Sequence, residues 1–195
     1  MTKEKLFYSV DQKFKDRSCV SRRRFLSACV GLGAGLFAPS AFATLGYHNE
    51  RRLSFYNTHT GEQLTTCYWS KGKYLVYALT DIDRILRDHR SGDIYPIERS
   101  LLDILYALQL KVARSGAFHV LSGYRSPATN AMLRKRLNGV AKYSLHLVGQ
   151  AVDIRLPGCE LKHLRRAARA LRAGGVGYYP GSNFIHVDVG EVRSW

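Results

Sequence analysis

Acidic residues are scarce in this 195-residue chain: 15 Asp and Glu stand against 30 Lys and Arg, giving a formal charge of +15 and a pI near 9.9. That balance calls for an anionic partner, whether nucleic acid, a membrane surface or an anionic polymer. After residue 43 the basic residues form no concentrated run and accompany no nucleic-acid motif, so nucleic acid is not the expected partner. The glycine-rich stretch 173–180 lacks the phosphate-cradling pattern followed by a helix, which excludes a nucleotide site there. Long apolar runs are missing too: residues 26–38 fall short of the roughly 20 that a membrane span requires, and glycines interrupt them. Cysteine is limited to four positions, and Cys19 and Cys29 lie near the start, leaving Cys67 and Cys159 as a pair whose separation the sequence does not give. What is present, 46% hydrophobic and 11% aromatic residues, suffices for one ordinary core and hence one domain.

Residues 1–43 hold eight Lys and Arg against three Asp and Glu, a net +5, which leaves +10 of the +15 on the other 152. Ser21-Arg22-Arg23-Arg24-Phe25-Leu26, a weakly apolar Gly/Ala-rich region and Pro39-Ser40-Ala41-Phe42-Ala43 resemble a twin-arginine export signal cut after Ala43. The mature chain is then residues 44–195, in a periplasm, with no stable membrane insertion and only transient contact with the export machinery.

Two β-rich runs, 51–57 and 63–69, flank a turn containing Gly61 and predict a hairpin with His59 at its surface. Leu75, Val76, Leu79, Ile82, Ile85 and Leu86 recur at helical spacing, with Asp81, Asp83, Arg84, Arg87 and Asp88 opposite them on a face expected to be solvated. Residues 100–112 predict a second, more deeply buried helix. A short strand at 117–121 delivers Ser122-Gly123-Tyr124-Arg125 to a turn, and Ser126-Pro127 reads as the N-cap and first residue of a helix reaching about Leu137. Arg125 thus stands where strand gives way to helix, a common place for functional side chains. Leu161, Leu164, Ala168 and Leu171 mark one further helix, whose other face is basic through Lys162, His163, Arg165, Arg166, Arg169 and Arg172.

The chemistry concentrates in residues 144–153, where His146 and Asp153 stand seven residues apart across Gly149. Alternation along 151–156 puts Asp153 opposite Val152, Ile154 and Leu156, so one face packs while the other presents a carboxylate. In 183–189, His186 and Asp188 share a face opposite Ile185, Val187 and Val189. Two His and one Asp make three protein ligands, the number a catalytic zinc takes while keeping a fourth position for water. His48, His59, His89, His119 and His163 have no such neighbours in the pattern. The expected fold is α+β: a small antiparallel sheet carrying the site, flanked by about four helices.

Gly123-Tyr124-Arg125-Ser126, the Ser-x-His-x-x-Gly-x-Ala-x-Asp pattern at 144–153 and the final His resemble the zinc D-Ala-D-Ala peptidases of the VanX/VanY (LAS) group. Gly139-Val140-Ala141-Lys142, Gly149-Gln150-Ala151, the run 172–180 and Ser182-Asn183-Phe184 bring the chain closer to the YcbK/MepK-type murein endopeptidases. The resemblance implies a hedgehog/D-Ala-D-Ala peptidase-like fold and a periplasmic zinc enzyme that cuts peptide cross-links of peptidoglycan. His146, Asp153 and His186 would hold one Zn2+, Arg125 would stabilise the oxyanion, and Ser144 and Tyr124 would meet the substrate. The VanX/VanY enzymes carry an acidic general base three residues before the last histidine, and here that residue is Asn183. Asp188 is then open to two roles, general base or orienter of an imidazole. The departure also leaves room for a peptidoglycan-binding module that has lost turnover. Whether the bond cut joins D-Ala to diaminopimelate, two diaminopimelates, or both, does not follow from the resemblance.

Overall fold

A computed structural model describes residues 49–137 and 139–195; the export segment expected at 1–43 and His48 lie outside the described residues. Strands β1 (Glu50–Asn57) and β2 (Gln63–Ser70) form the hairpin that the sequence predicts, paired antiparallel with Phe55 opposite Leu64. Asn57 shapes its turn, the side-chain oxygen accepting from the backbone N–H groups of His59 and Thr60. β3 (Lys73–Tyr74) follows, then α1 (Val76–Ile85) and α2 (Arg99–Lys111). β4 (Phe118–Ser122), α3 (Pro127–Arg136), β5 (Ala151–Arg155), α4 (Leu161–Leu171), β6 (Val176–Tyr179) and β7 (Phe184–Asp188) complete the fold.

The strands make one seven-stranded sheet in the order β3-β2-β1-β4-β5-β7-β6. It is larger than the small antiparallel sheet expected, and it is mixed, because β1 runs parallel to β4 with Phe55 beside Phe118. A parallel pair needs a long crossover. The chain between β1 and β4, with α1 and α2, supplies it, and no local pattern announces which strands that crossover will join.

Alternate residues of the central strands, Leu53, Phe55, Phe118, Val120, Val152, Ile154, Ile185 and Val187, are buried in the core. α2 contributes every residue from Leu101 to Leu108 to the buried set, and α4 contributes Leu164, Ala167, Ala168 and Leu171. Burial all round is what the near-continuous apolar pattern of α2 requires. The expected cap of α3 is present: Ser126 Oγ accepts from Thr129 N at 3.3 Å and Pro127 is the first helical residue.

The face assigned to α1 needs correction at three places. Val76 is 75% exposed, and Ala78 takes an inward position with Ile82 and Ile85. Asp83 is not simply solvated: it accepts from Ile97 N at 2.8 Å, and partial burial raises its pKa. Asp88 is 1% exposed, because α1 ends at Ile85 and helical spacing no longer governs where residue 88 points. Cys67 and Cys159 are both free thiols. Among the described residues no helix is long and apolar enough to cross a membrane.

Candidate metal centre

β5 and β7 lie side by side and antiparallel, with Asp153 directly opposite His186. Since Val152, Ile154, Ile185 and Val187 fill the core, alternation turns Asp153 and His186 together to the other face. His146 reaches the same place from a 3-10 turn, Leu145–Val148. Ser144 caps that turn, its hydroxyl accepting from His146 N at 3.4 Å, and Gly149 ends it at φ +66°. Glycine is required there twice over: the left-handed backbone favours it, and a Cβ would overlap the Pro96 carbonyl oxygen. Gly123 is constrained alike by the Leu86 carbonyl, so the segment leaving α1 packs tightly against the strand end that carries Tyr124 and Arg125.

His146 Nε2 lies 3.3 Å from Asp153 Oδ1 and 3.2 Å from His186 Nδ1, and His186 Nδ1 lies 2.9 Å from the same Asp153 oxygen. Ligand atoms of the three residues all fall within 4.8 Å of one another. The outward nitrogens are engaged elsewhere: His146 Nδ1–H donates to Gly123 O at 2.7 Å, and His186 Nε2–H donates to Asp188 Oδ2 at 3.0 Å. Each ring is thereby set to turn its other nitrogen inward, the arrangement in which imidazoles serve as metal ligands. Three inward acceptors this close, with His146 2% and Asp153 7% exposed, repel one another unless a cation or a proton lies among them. The His2Asp donor set suits a divalent ion of the zinc type.

With the cluster holding protons only, its groups are strongly perturbed. Burial keeps the His146 imidazole below its usual value. Burial alone would lower His186 as well, but hydrogen bonds to Asp153 and Asp188 raise it to about 9. Asp153, which burial would push up, is held well below the ordinary carboxylate range by the two imidazoles.

Arg125 stands at the edge of this cluster, 3.6 Å from Asp153 Oδ2, with further donations to Ser122 Oγ and Asn130 Oδ1 at 3.3 and 3.4 Å. Its Nε is buried and has no hydrogen-bond partner among the described residues. Asp188 is fully buried, and both its oxygens are occupied: Oδ1 by the Gly175 and Gly190 N–H groups and Arg193, Oδ2 by His186 and Arg193. Tyr124 is 9% exposed beneath Tyr95, ring centroids 4.9 Å apart. Asn183 is exposed and takes a left-handed φ of +53° after the 3-10 turn Pro180–Ser182.

Sequence patterns brought His146, Asp153, His186, Asp188 and Arg125 to one place, and missed several residues that hold them. Asp88 accepts from Ser126 N and Arg90 N, both at 2.9 Å, and so fixes the turn after Arg125. Arg193 forks onto Asp188, and the Trp195 ring lies 5.4 Å from that of His186. A glycine between the strand end and Tyr124 hinted at Gly123; nothing in the spacing of Arg193 or Trp195 did.

Residues 46–195 match the family Peptidase_M15_2, described as peptidoglycan L,D-endopeptidase MepK. The chain is similar to the peptidoglycan L,D-endopeptidase MepK of Escherichia coli K12, 41% identical over 181 residues that cover 92% of this chain and all of the relative. It is also 38% identical over 177 residues to the probable peptidoglycan L,D-endopeptidase MepK of Haemophilus influenzae, covering 90% of this chain and 95% of that one. With three-quarters of its length inside the family match and both relatives covered almost end to end, this chain belongs to the Peptidase_M15_2 family of M15 peptidases.

Proposed function

We propose that this chain is a zinc-dependent murein endopeptidase that hydrolyses peptide cross-links of peptidoglycan in the periplasm, which it reaches by the twin-arginine route. The observation that carries the reading is the convergence of His146 Nε2, His186 Nδ1 and Asp153 Oδ1 within 3.3 Å, each imidazole fixed by an acceptor on its far side. The names of the family's relatives support the substrate. They also favour one of the two cross-links left open by the sequence: a bond between two diaminopimelates joins an L centre to a D centre, as an L,D-endopeptidase requires. The basic outer face of α4 suits residence on an anionic wall.

His146, Asp153 and His186 would hold the ion. Zinc so bound supplies a water that ionises near pH 7 and polarises a carbonyl. Arg125 is held at the cluster's edge by Ser122 and Asn130, its side chain 11% exposed and its guanidinium beside Asp153, so it can stabilise negative charge developing on the scissile carbonyl oxygen. We assign Asp188 the orientation of His186: its oxygens are saturated and it touches the nitrogen that faces away from the cluster. The role of general base is therefore not given to Asp188. Ser144 shapes the His146 turn from a half-buried position beside the site, where its hydroxyl can also meet substrate. Tyr124, covered by Tyr95, supports that ring rather than touching substrate itself.

The test is incubation of the exported protein with purified cross-linked muropeptides, with and without chelator and restored zinc, reading products by mass. Chelator-sensitive conversion of diaminopimelate-linked dimers to monomers is expected. Intact dimers in the zinc-loaded sample, despite measurable binding, would sink the peptidase reading in favour of a non-catalytic wall-binding module, the alternative that Asn183 in place of an acid brings forward.

A further inference from the structure

We propose that Arg193 is a positioning residue of the metal centre, setting His186 through the buried carboxylate of Asp188; the inference rests on the metal-centre reading above. The segment 190–195 is docked along the free edge of β6. Val176 N donates to Arg193 O at 3.0 Å, Trp195 N to Val176 O at 3.3 Å and Tyr178 N to Trp195 O at 3.0 Å. The Trp195 indole lies over Gly177, where a Cβ would come within 2.8 Å of it, and its Nε1–H donates to Tyr179 OH at 2.8 Å. Docked this way, the segment brings the Arg193 guanidinium end-on to Asp188, Nη1 to Oδ1 at 3.1 Å and Nη2 to Oδ2 at 2.7 Å.

A two-pronged Arg–carboxylate pair fixes the plane of the carboxylate as well as its position. Asp188 Oδ2 is shared between Arg193 and His186 Nε2. The plane of that carboxylate therefore decides where the Nε2–H points, and with it where Nδ1 points on the opposite side of the ring. Asp188 is 0% exposed, so water cannot replace the guanidinium as its counter-charge without rearrangement. The Arg193 side chain is itself 44% exposed, so replacing it opens no cavity in the core.

Zinc affinity of the full chain, measured by competition with a chromogenic chelator, reads this directly and without turnover. Arg193→Gln should weaken zinc binding by about 10- to 100-fold, the usual effect of losing a group that orients a ligand. Arg193→Lys should recover a clear part of the loss, while Arg169→Gln, which removes one charge from the exposed side of α4, should stay within about twofold. Zinc binding by Arg193→Gln within threefold of the parent would overturn the proposal, as would Arg193→Lys no better than Gln, or an equal loss in Arg169→Gln. Failure here is distinct from failure of the peptidase reading: a parent protein that binds zinc but cuts nothing sinks the latter alone.

Discussion

Stripped of metal, the protein should lose stability as the pH rises from 7 to 9.5, and His186 should be the reason. The ring lies between Asp153 at 2.9 Å and Asp188 at 3.0 Å with its side chain 11% exposed. Although burial opposes it, those hydrogen bonds raise its pKa from 6.5 to about 9. At about 1.4 kcal/mol for each pH unit, the rise corresponds to about 3 kcal/mol of stability. The sign follows from the direction: a proton held more tightly in the folded state stabilises fully below pH 6.5, and that contribution disappears as pH passes through about 9. For a domain of about 150 residues, 3 kcal/mol is a fall of about 6–12 °C in Tm. Asp153 and Asp188, both held far below the usual carboxylate range, stay ionised throughout the window. Cys159, pushed up by burial, loses stability in the same direction. The quantity to measure is therefore the difference between the parent and His186→Gln, both in chelator, by thermal melts at several pH values. Zinc should reverse the trend, since metal takes the deprotonated ring. Parallel Tm–pH curves for the two chelated proteins would refute the reasoning.

Three further outcomes are expected. His146→Ala, Asp153→Ala and His186→Ala should each lose both bound metal and muropeptide cleavage, and retention of both in all three would remove the proposed centre. Arg125→Ala should keep its metal content yet lose about 10²- to 10³-fold in kcat, the scale seen when one oxyanion donor is removed, and an unchanged kcat would end its transition-state role. Asp103 accepts from Arg51, Tyr68 and Tyr74 at 2.7, 2.9 and 2.6 Å in a 9% exposed position, so Asp103→Ala should cost about 3–5 kcal/mol in urea unfolding without changing zinc affinity.

The parts of this fold legible in the sequence are those governed by neighbours a few residues away. Ser126-Pro127 had to start a helix because its hydroxyl and its missing N–H act on the next turn. Asp153 and His186 had to oppose apolar neighbours because strands alternate. Pairing between strands distant in sequence was not legible: the parallel contact of β1 with β4 turned a small sheet into seven strands. Asp88 shows the same limit at one residue. It follows helix α1 closely enough to be counted with its polar face, yet its partners are the Ser126 and Arg90 N–H groups, the first 38 residues away.

Asn183 illustrates how a departure from a motif can have a backbone cause. At φ +53°, closing the turn Pro180–Ser182, the position asks for a residue tolerant of the left-handed region, and after glycine Asn meets that demand best. The side chain is exposed, whereas His186, three residues on, is inward and tied. Residue type alone therefore does not separate a ligand from a bystander. His146 and His163 carry the same imidazole, but only His146 has one nitrogen bonded to a buried carbonyl and the other aimed at a carboxylate shared with a second ring. The carbonyl belongs to Gly123, the carboxylate to Asp153 and the second ring to His186. The site is thus made by four segments whose meeting is decided by sheet register and by two glycines that let backbone approach backbone.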